Sequence, residues 1–250
     1  VICEMLGVPE QTRQVFVRNT AVVGDRESTP EELRAAVEGN RGGMLAVIRD
    51  KREHPDGGFL SALVHEPETR FSEEELVSIG LLLLVNGNET TANMLALGTY
   101  ALLEHPDQLA RLRAEPGRWD AAVEELLRFL TIVQFGIVRV AAADVELAGA
   151  TIREGDPVVL GLSAANRDPA RFADPDRLDV TRTELSHLAF GHGVHQCVGQ
   201  HLARAEMQIA YRALFERFAG LRLAVPAAEV RPRAEMNIYG VHELPVRWAG

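Results

Sequence analysis

The hydrophobic pattern of the chain reads as a succession of helices separated by short polar breaks. Val15 and Phe16, with Asn19 beside them, give residues 10–23 a modest helical pattern, and Gly24 to Thr29 form a loop. Thr29-Pro30-Glu31-Glu32 is a helix start, with a capping hydroxyl, a proline at the first helical position and acids beside the positive end of the dipole. That helix is predicted to reach about Glu53, although Gly39, Gly42 and Gly43 each weaken it by up to ~1 kcal/mol. His54-Pro55-Asp56-Gly57-Gly58 breaks it, and a short helix over Phe59–His65 follows. Ser72 and Glu75 form a capping box that opens a long helix to Glu104. Its middle departs from the apolar pattern. Leu81–Val85 is followed by the polar run Asn86 to Asn93, and then by Met94–Leu97. Polar groups inside a core helix are costly unless paired, and glycine and threonine there let a side chain or water enter the backbone ladder.

His105-Pro106 ends that helix and starts the next, to about Glu115, and a further helix covers Trp119–Leu130. Between 131 and 162 the period changes. Val138–Ala141, Val145–Leu147, Thr151-Ile152 and Val158–Leu160 read as short strands divided by turns. A short helix or turn over Ser163–Pro169 leads into an irregular meander, 170–187. A glycine-bearing loop, Phe190 to Gln196, then delivers Cys197 to a helix whose apolar stripe is Leu202, Ala205, Ile209, Leu214 and Phe218. Strands at Leu221–Leu223 and Leu244–Trp248 close the chain, with a turn near Asn237–Gly240. The fold class is mainly α with small β-sheets, in one continuous domain over 1–250.

Composition narrows the function. The 250 residues carry a formal charge of −10, with both signs mixed along the chain, which leaves no nucleic-acid footprint. Two cysteines, Cys3 and Cys197, make no disulfide framework and suit a reducing cytoplasm. The longest apolar run, Gly80 to Val85, is too short to span a bilayer, and no secretory signal is visible. Val1 is not an initiator methionine, and the opening Val-Ile-Cys-Glu-Met-Leu-Gly-Val-Pro reads as the middle of a protein, so an N-terminal portion is expected to precede it.

The candidate chemistry centres on Cys197. A cysteine just before a helix N-terminus sits among free backbone N–H groups at the positive end of the dipole, which favours a thiolate. Taken alone it admits three readings: a buried thiol, a zinc ligand together with His192 and His195, or a ligand to something flat packed against Phe190 and the glycine-opened loop.

The stretch Phe190-Gly191-His192-Gly193-Val194-His195-Gln196-Cys197-Val198-Gly199 resembles the haem-binding signature of the cytochrome P-450 family, the haem-thiolate monooxygenases. The resemblance implies a cytochrome P-450-like fold lacking its N-terminal helices, with Cys197 as the iron ligand, Phe190, Gly191 and Gly199 around it, and His195 and Arg139 on the haem propionates. Gly87-Asn88-Glu89-Thr90-Thr91 is similar to the same family's oxygen-activation motif. Glu89 is then the proton relay and Thr90 the alcohol that holds the oxygen-derived species and its waters. The family usually has Ala or Gly where this chain has Asn86. The resemblance further implies a structural network of Glu125 and Arg128 joined by Arg177 from the meander, and a substrate pocket drawing on Leu82, Val85, Asn86, Ile238 and the segment Ile132–Val138. It implies haem b, electrons from NAD(P)H through a ferredoxin or similar donor, O2, and an apolar small-molecule substrate. Basic residues near the cysteine, such as Arg204 and Arg212, admit two readings, contact with an acidic redox partner or a solvated helix face. Neither nucleic acid nor membrane is a partner. The readings kept beside this one are a haem-binding remnant without activity and a peroxide- or nitric-oxide-using haem-thiolate enzyme.

Overall fold

The computed structural model describes residues 1–68, 70–134 and 137–249. Phe135 and Gly136, part of the Ile132–Val138 segment expected to line a pocket, lie outside the described residues. The chain forms two compact units, Val1–Ala92 and Asn93–Gly250, and the division falls inside one long helix.

The first unit contains α1 (Ile2–Met5), α2 (Glu10–Gly24), α3 (Pro30–Glu53), α4 (Phe59–Val64) and the first part of α5 (Glu73–Glu104). Both predicted caps form. The Glu32 N–H donates to Thr29 Oγ1 at 3.3 Å while the Thr29 N–H donates to the Glu32 carboxylate at 2.8 Å. Ser72 and Glu75 repeat the arrangement at 3.2 and 2.8 Å. The α3 glycines have a packing purpose that propensity alone does not reveal. A Cβ on Gly43 would lie 3.0 Å from Phe16 Cζ and one on Gly39 would lie 2.8 Å from Asn19 Nδ2, so their absence lets α2 approach closely. Burial of Phe16 among Leu6, Met44, Ile48, Leu60, Leu76 and Leu84 offsets the helix-propensity cost.

The helix α5 runs unbroken through its polar stretch. Its polar side chains fold back onto the helix: the Asn86 amide donates to the Leu82 carbonyl at 2.8 Å, and the Thr90 hydroxyl donates to the Asn86 carbonyl. Such i−4 back-bonding partners the side chain without opening a turn.

The second unit contains the rest of α5, then α6 (Pro106–Ala114), α7 (Trp119–Leu130), α8 (Leu162–Ala165) and α9 (Gln200–Arg217). Three two-stranded antiparallel sheets accompany them. The strand β1 (Val138–Val140) pairs with β4 (Pro157–Val159), β2 (Val145–Leu147) with β3 (Ala150–Ile152), and β5 (Arg222–Leu223) with β6 (Val246–Arg247). Ala148 and Gly149 both have positive φ, +51° and +81°, as a two-residue hairpin turn of matching twist requires. The packing of α7 on α9 builds the core: Trp119 stacks on Tyr211 and Phe215, with ring centroids 6.4 and 5.8 Å apart. The buried face of α9 is Met207, Tyr211 and Phe215, not the expected stripe, and Ile209 is 70% exposed. Steps of four from Met207 place these three side chains over one another on the helix, which brings Tyr211 and Phe215 against Trp119. The architecture is thus mainly α with small β-sheets, and no helix among the described residues is long and apolar enough to cross a membrane.

Candidate active site

The sulfur-bearing loop is built by its own backbone. Gly191 N–H donates to the Leu188 carbonyl and Cys197 N–H to the Phe190 carbonyl, each at 2.9 Å, which closes the neck of the loop. Gly191 and Gly193 have φ of +72° and +79°, conformations costly for any side chain, and nothing lies within 4 Å of where their Cβ atoms would be. A single tight turn, Gly193–His195, follows, and α9 starts three residues beyond Cys197 with Gly199 as its N-cap. Cys197 is a free, exposed thiol, and His195 is exposed beside it. Val194 and Val198 are 98% and 79% exposed. A thiol flanked by bare valines and by open space over two glycines fits a flat, apolar, metal-centred group such as haem. His192, His195 and Cys197 do not converge as a zinc site: among the described residues no group of three or more His, Cys, Asp or Glu is placed to hold a metal ion.

Behind the loop lies a fully buried ion pair. Arg128 and Glu125, both on α7, have no exposed side-chain surface. Arg128 uses every N–H it has. Nε and Nη2 reach the Glu125 carboxylate at 2.7 and 2.9 Å, Nη1 reaches the carbonyls of Asn166 and Pro175 at 2.9 and 2.8 Å, and Nη2 reaches that of Arg177 at 3.2 Å. The Glu125 carboxylate also accepts from the Asp179 N–H at 2.9 Å and from Arg182 Nε at 3.0 Å. The third cation of the network is therefore Arg182, not Arg177. The Arg177 side chain is exposed, and this residue contributes its carbonyl to both guanidinium groups. Arg182 lies beyond the turn at Asp179, where the backbone N–H and the guanidinium of one short segment reach the same carboxylate, a convergence that spacing does not encode.

Two connections, one buried and one half-buried, run from α7 and its C-cap to the root of the loop. Thr131, in the left-handed region at φ +40°, accepts from Asn166 Nδ2 at 2.9 Å, and Asn166 Oδ1 accepts the Leu188 N–H at 2.7 Å. Glu124 binds His187 Nε2 at 3.1 Å and Arg204 at 2.7 and 3.0 Å. The Arg204 guanidinium stands over the Phe190 ring, 4.5 Å from its centroid. Burial alone raises the Glu124 carboxyl, but the hydrogen bonds from His187 and Arg204, together with the Arg204 charge, hold it down at about 2. Arg204 is thus engaged within the protein, and Arg212 pairs with Glu216 on the exposed face of α9 at 2.9 Å. The connections through Asn166 and Glu124 were not foreseen from sequence. The only local signal for Glu124 is that it stands next to Glu125 on a helix that buries one side.

The remaining candidates are placed as follows. Leu82, Val85, Asn86 and Glu89 fall at i, i+3, i+4 and i+7 of α5, with Thr90 one step on, so they share one face. Leu82 is 59% exposed and Asn86 is exposed, whereas Leu84 faces the first unit's core. In the second unit Arg139 lies on the exposed strand β1, where its Nη1 donates to the Val138 carbonyl at 3.0 Å. Ile238 is half-buried beside Tyr239, whose N–H donates to the Ile132 carbonyl at 2.9 Å.

The family model described as Cytochrome P450 matches residues 119–243. Cytochrome P450 105C1 of a Streptomyces species is 49% identical over 248 residues, covering 99% of this chain and 65% of that protein. Pentalenic acid synthase of Streptomyces avermitilis is 49% identical over 252 residues, covering 99% of this chain and 62% of that one. The crystal structure of CYP105P1 in complex with filipin I superposes with a TM-score of 0.96 at 44% identity, over 99% of this chain and 63% of that chain. The chain therefore spans a little under two thirds of the length of the relatives it matches.

Proposed function

The chain belongs to the cytochrome P450 family, and from that premise we propose that it is the haem-thiolate part of a bacterial monooxygenase that places one atom of O2 into an apolar small molecule of secondary metabolism or catabolism, by hydroxylation or epoxidation. The observation that carries this reading is the exposed Cys197 thiol on a loop closed by the Phe190 carbonyl and flanked by the bare side chains of Val194 and Val198.

Haem b, when bound, supplies O2 binding and activation. The protein supplies position and electrostatics. Cys197 would hold the haem iron through its thiolate, which would donate electron density to the metal. Arg139 and His195 are assigned to the propionates; the fork of an arginine matches a carboxylate. Phe190, Gly191 and Gly199 keep the sulfur side of the loop flat and open. Glu89 holds and releases a proton, and the Thr90 hydroxyl, donating to the Asn86 carbonyl, keeps its oxygen lone pairs available to accept a hydrogen bond from water or an oxygen-derived ligand. Leu82, Val85 and Asn86 on α5 are assigned to substrate, with the Asn86 amide the polar member, and Ile238 is assigned the same task. Electrons come singly from a ferredoxin or similar protein reduced by NAD(P)H, in the cytoplasm.

The test is the difference spectrum of the reduced, haem-loaded protein with carbon monoxide. A strongly red-shifted Soret band, lost in Cys197→Ala and Cys197→His, is expected. A histidine-type band in the parent, or a red-shifted band that persists in Cys197→Ala, overturns the reading.

A further inference from the structure

We propose that Glu124 is a positioning residue for the thiolate loop, acting through His187 and Arg204; the inference deepens the haem-thiolate reading and rests on it for its consequence at Cys197. The cluster is not part of the Glu125–Arg128–Arg182 network, although Glu124 and Glu125 are neighbours on α7. Glu125 grips the meander. Glu124 grips the residues on either side of the loop.

The geometry assigns each atom a task. The His187 side chain is 2% exposed. Its Nδ1 accepts the Ala189 N–H at 3.1 Å, and a backbone N–H can only donate, so Nδ1 carries the lone pair. The ring hydrogen is then on Nε2, which lies 3.1 Å from Glu124 Oε2. Ala189 immediately precedes Phe190, so this chain of bonds fixes the entry to the loop. On the exit side, Arg204 holds Glu124 in a two-pronged contact at 2.7 and 3.0 Å, while its Nη1 reaches Gln200 Oε1 at 2.9 Å in the first turn of α9. The same guanidinium covers the Phe190 ring at 4.5 Å. Phe190 is the residue whose carbonyl holds the Cys197 N–H at 2.9 Å. A shift of Phe190 therefore shifts the acceptor that sets the sulfur's position. One carboxylate, through two partners, ties together Ala189, Phe190 and Gln200, the three points that bracket Cys197.

The experiment compares Glu124→Gln, Arg204→Gln, the double variant and the surface control Glu216→Gln, each as the haem-loaded protein and as the protein without haem. The first readout is amide hydrogen exchange, which needs no haem. The Gly191 and Cys197 amides are expected to exchange about tenfold faster in each single variant. The double variant is expected to be faster than either single by less than the product of the two effects, because the singles share the Glu124–Arg204 contact. Glu216→Gln is expected to leave both amides unchanged. The second readout is the carbon monoxide band, with a larger share of the non-thiolate form in Glu124→Gln and Arg204→Gln. Unchanged exchange at Gly191 and Cys197, or acceleration spread equally over Met207 and Tyr211, overturns the proposal, since the second pattern is general destabilisation. If Glu124→Gln does not fold, Arg204→Lys decides: it keeps the charge and loses the fork, and local acceleration at Gly191 and Cys197 is again expected. A parent protein with no thiolate band refutes the functional reading, while the exchange data still decide the role of Glu124 in the loop.

Discussion

Replacing Arg128 by methionine removes a charge from a place with no water. The side chain is fully buried and makes five hydrogen bonds, two to Glu125 and three to the carbonyls of Asn166, Pro175 and Arg177. Methionine fills much of the stem's volume, so the loss is mostly polar. Breaking a buried ion pair while leaving one partner costs about 3–5 kcal/mol. The Asn166 and Pro175 carbonyls then lack the guanidinium, at about 1–3 kcal/mol each. Arg182 softens the total, because it remains 3.0 Å from the Glu125 carboxylate and 3.3 Å from the Arg177 carbonyl. The expected loss is at least about 5 kcal/mol, comparable to the whole stability of a domain at about 5–15 kcal/mol. Arg128→Lys keeps the charge with three donors in place of five, and a loss of about 3 kcal/mol is expected. Urea unfolding followed by Trp119 fluorescence and far-ultraviolet circular dichroism measures both. Arg182→Ala is expected to be strongly destabilising, and Arg177→Ala to stay within about 0.5 kcal/mol, as for an exposed side chain. A loss below about 1 kcal/mol in Arg128→Met, or equal losses for Arg177→Ala and Arg182→Ala, would refute the reasoning.

Three further outcomes are expected. A Cβ on Gly98 would overlap the Tyr211 hydroxyl, which donates to the Met94 carbonyl, so Gly98→Ala is expected to lower stability by about 1–3 kcal/mol and to recover part of that in a Tyr211→Phe background, read by thermal melting. A Cβ on Gly240 would overlap Asn93 Oδ1, the atom that accepts from Arg233 Nη1 at 2.9 Å; Gly240→Ala is expected to be destabilising and to raise hydrogen exchange at Tyr239 and Gly240. Glu124 is held at about 2, below its ordinary 4.5, so its contribution to stability is complete above pH 4.5 and is lost as pH falls through the folded value. Glu124→Gln should therefore flatten the decline of stability between about pH 4.5 and 2; an acid limb identical to the parent's would contradict this.

Elements defined by local chemistry were legible in the sequence. The caps at Thr29 and Ser72 are short-range bonds between residues three apart, and they fixed the starts of α3 and α5 closely. The strands around Arg139 and the loop of Cys197 were legible because turn glycines and a long signature mark them. What was missed depends on partners far along the chain. The buried stripe of α9 was misassigned because Ile209 is more apolar than Tyr211 by composition, whereas Trp119 on α7 decides which of them is covered. Arg177 is what likeness to the family's meander implies, and only the turn at Asp179 shows that Arg182 is the arginine that points inward. Asn166 and Glu124 read as ordinary polar residues until Leu188, His187 and Arg204 are brought to them.

The bonds Arg128 makes beyond α7 all end on main-chain oxygens, at Asn166, Pro175 and Arg177, and Arg182 adds those of Ala173 and Asp174. Main-chain oxygens are the same in every amino acid. The path of residues 173–177 is thereby held through atoms that substitution does not alter, and the exposed side chains at Ala173 and Arg177 are left at liberty. The segment behaves as a mould whose outer surface can be re-lettered without changing its cast, so variation there can adapt the protein's exterior while the seat of Cys197 stays where α7 puts it.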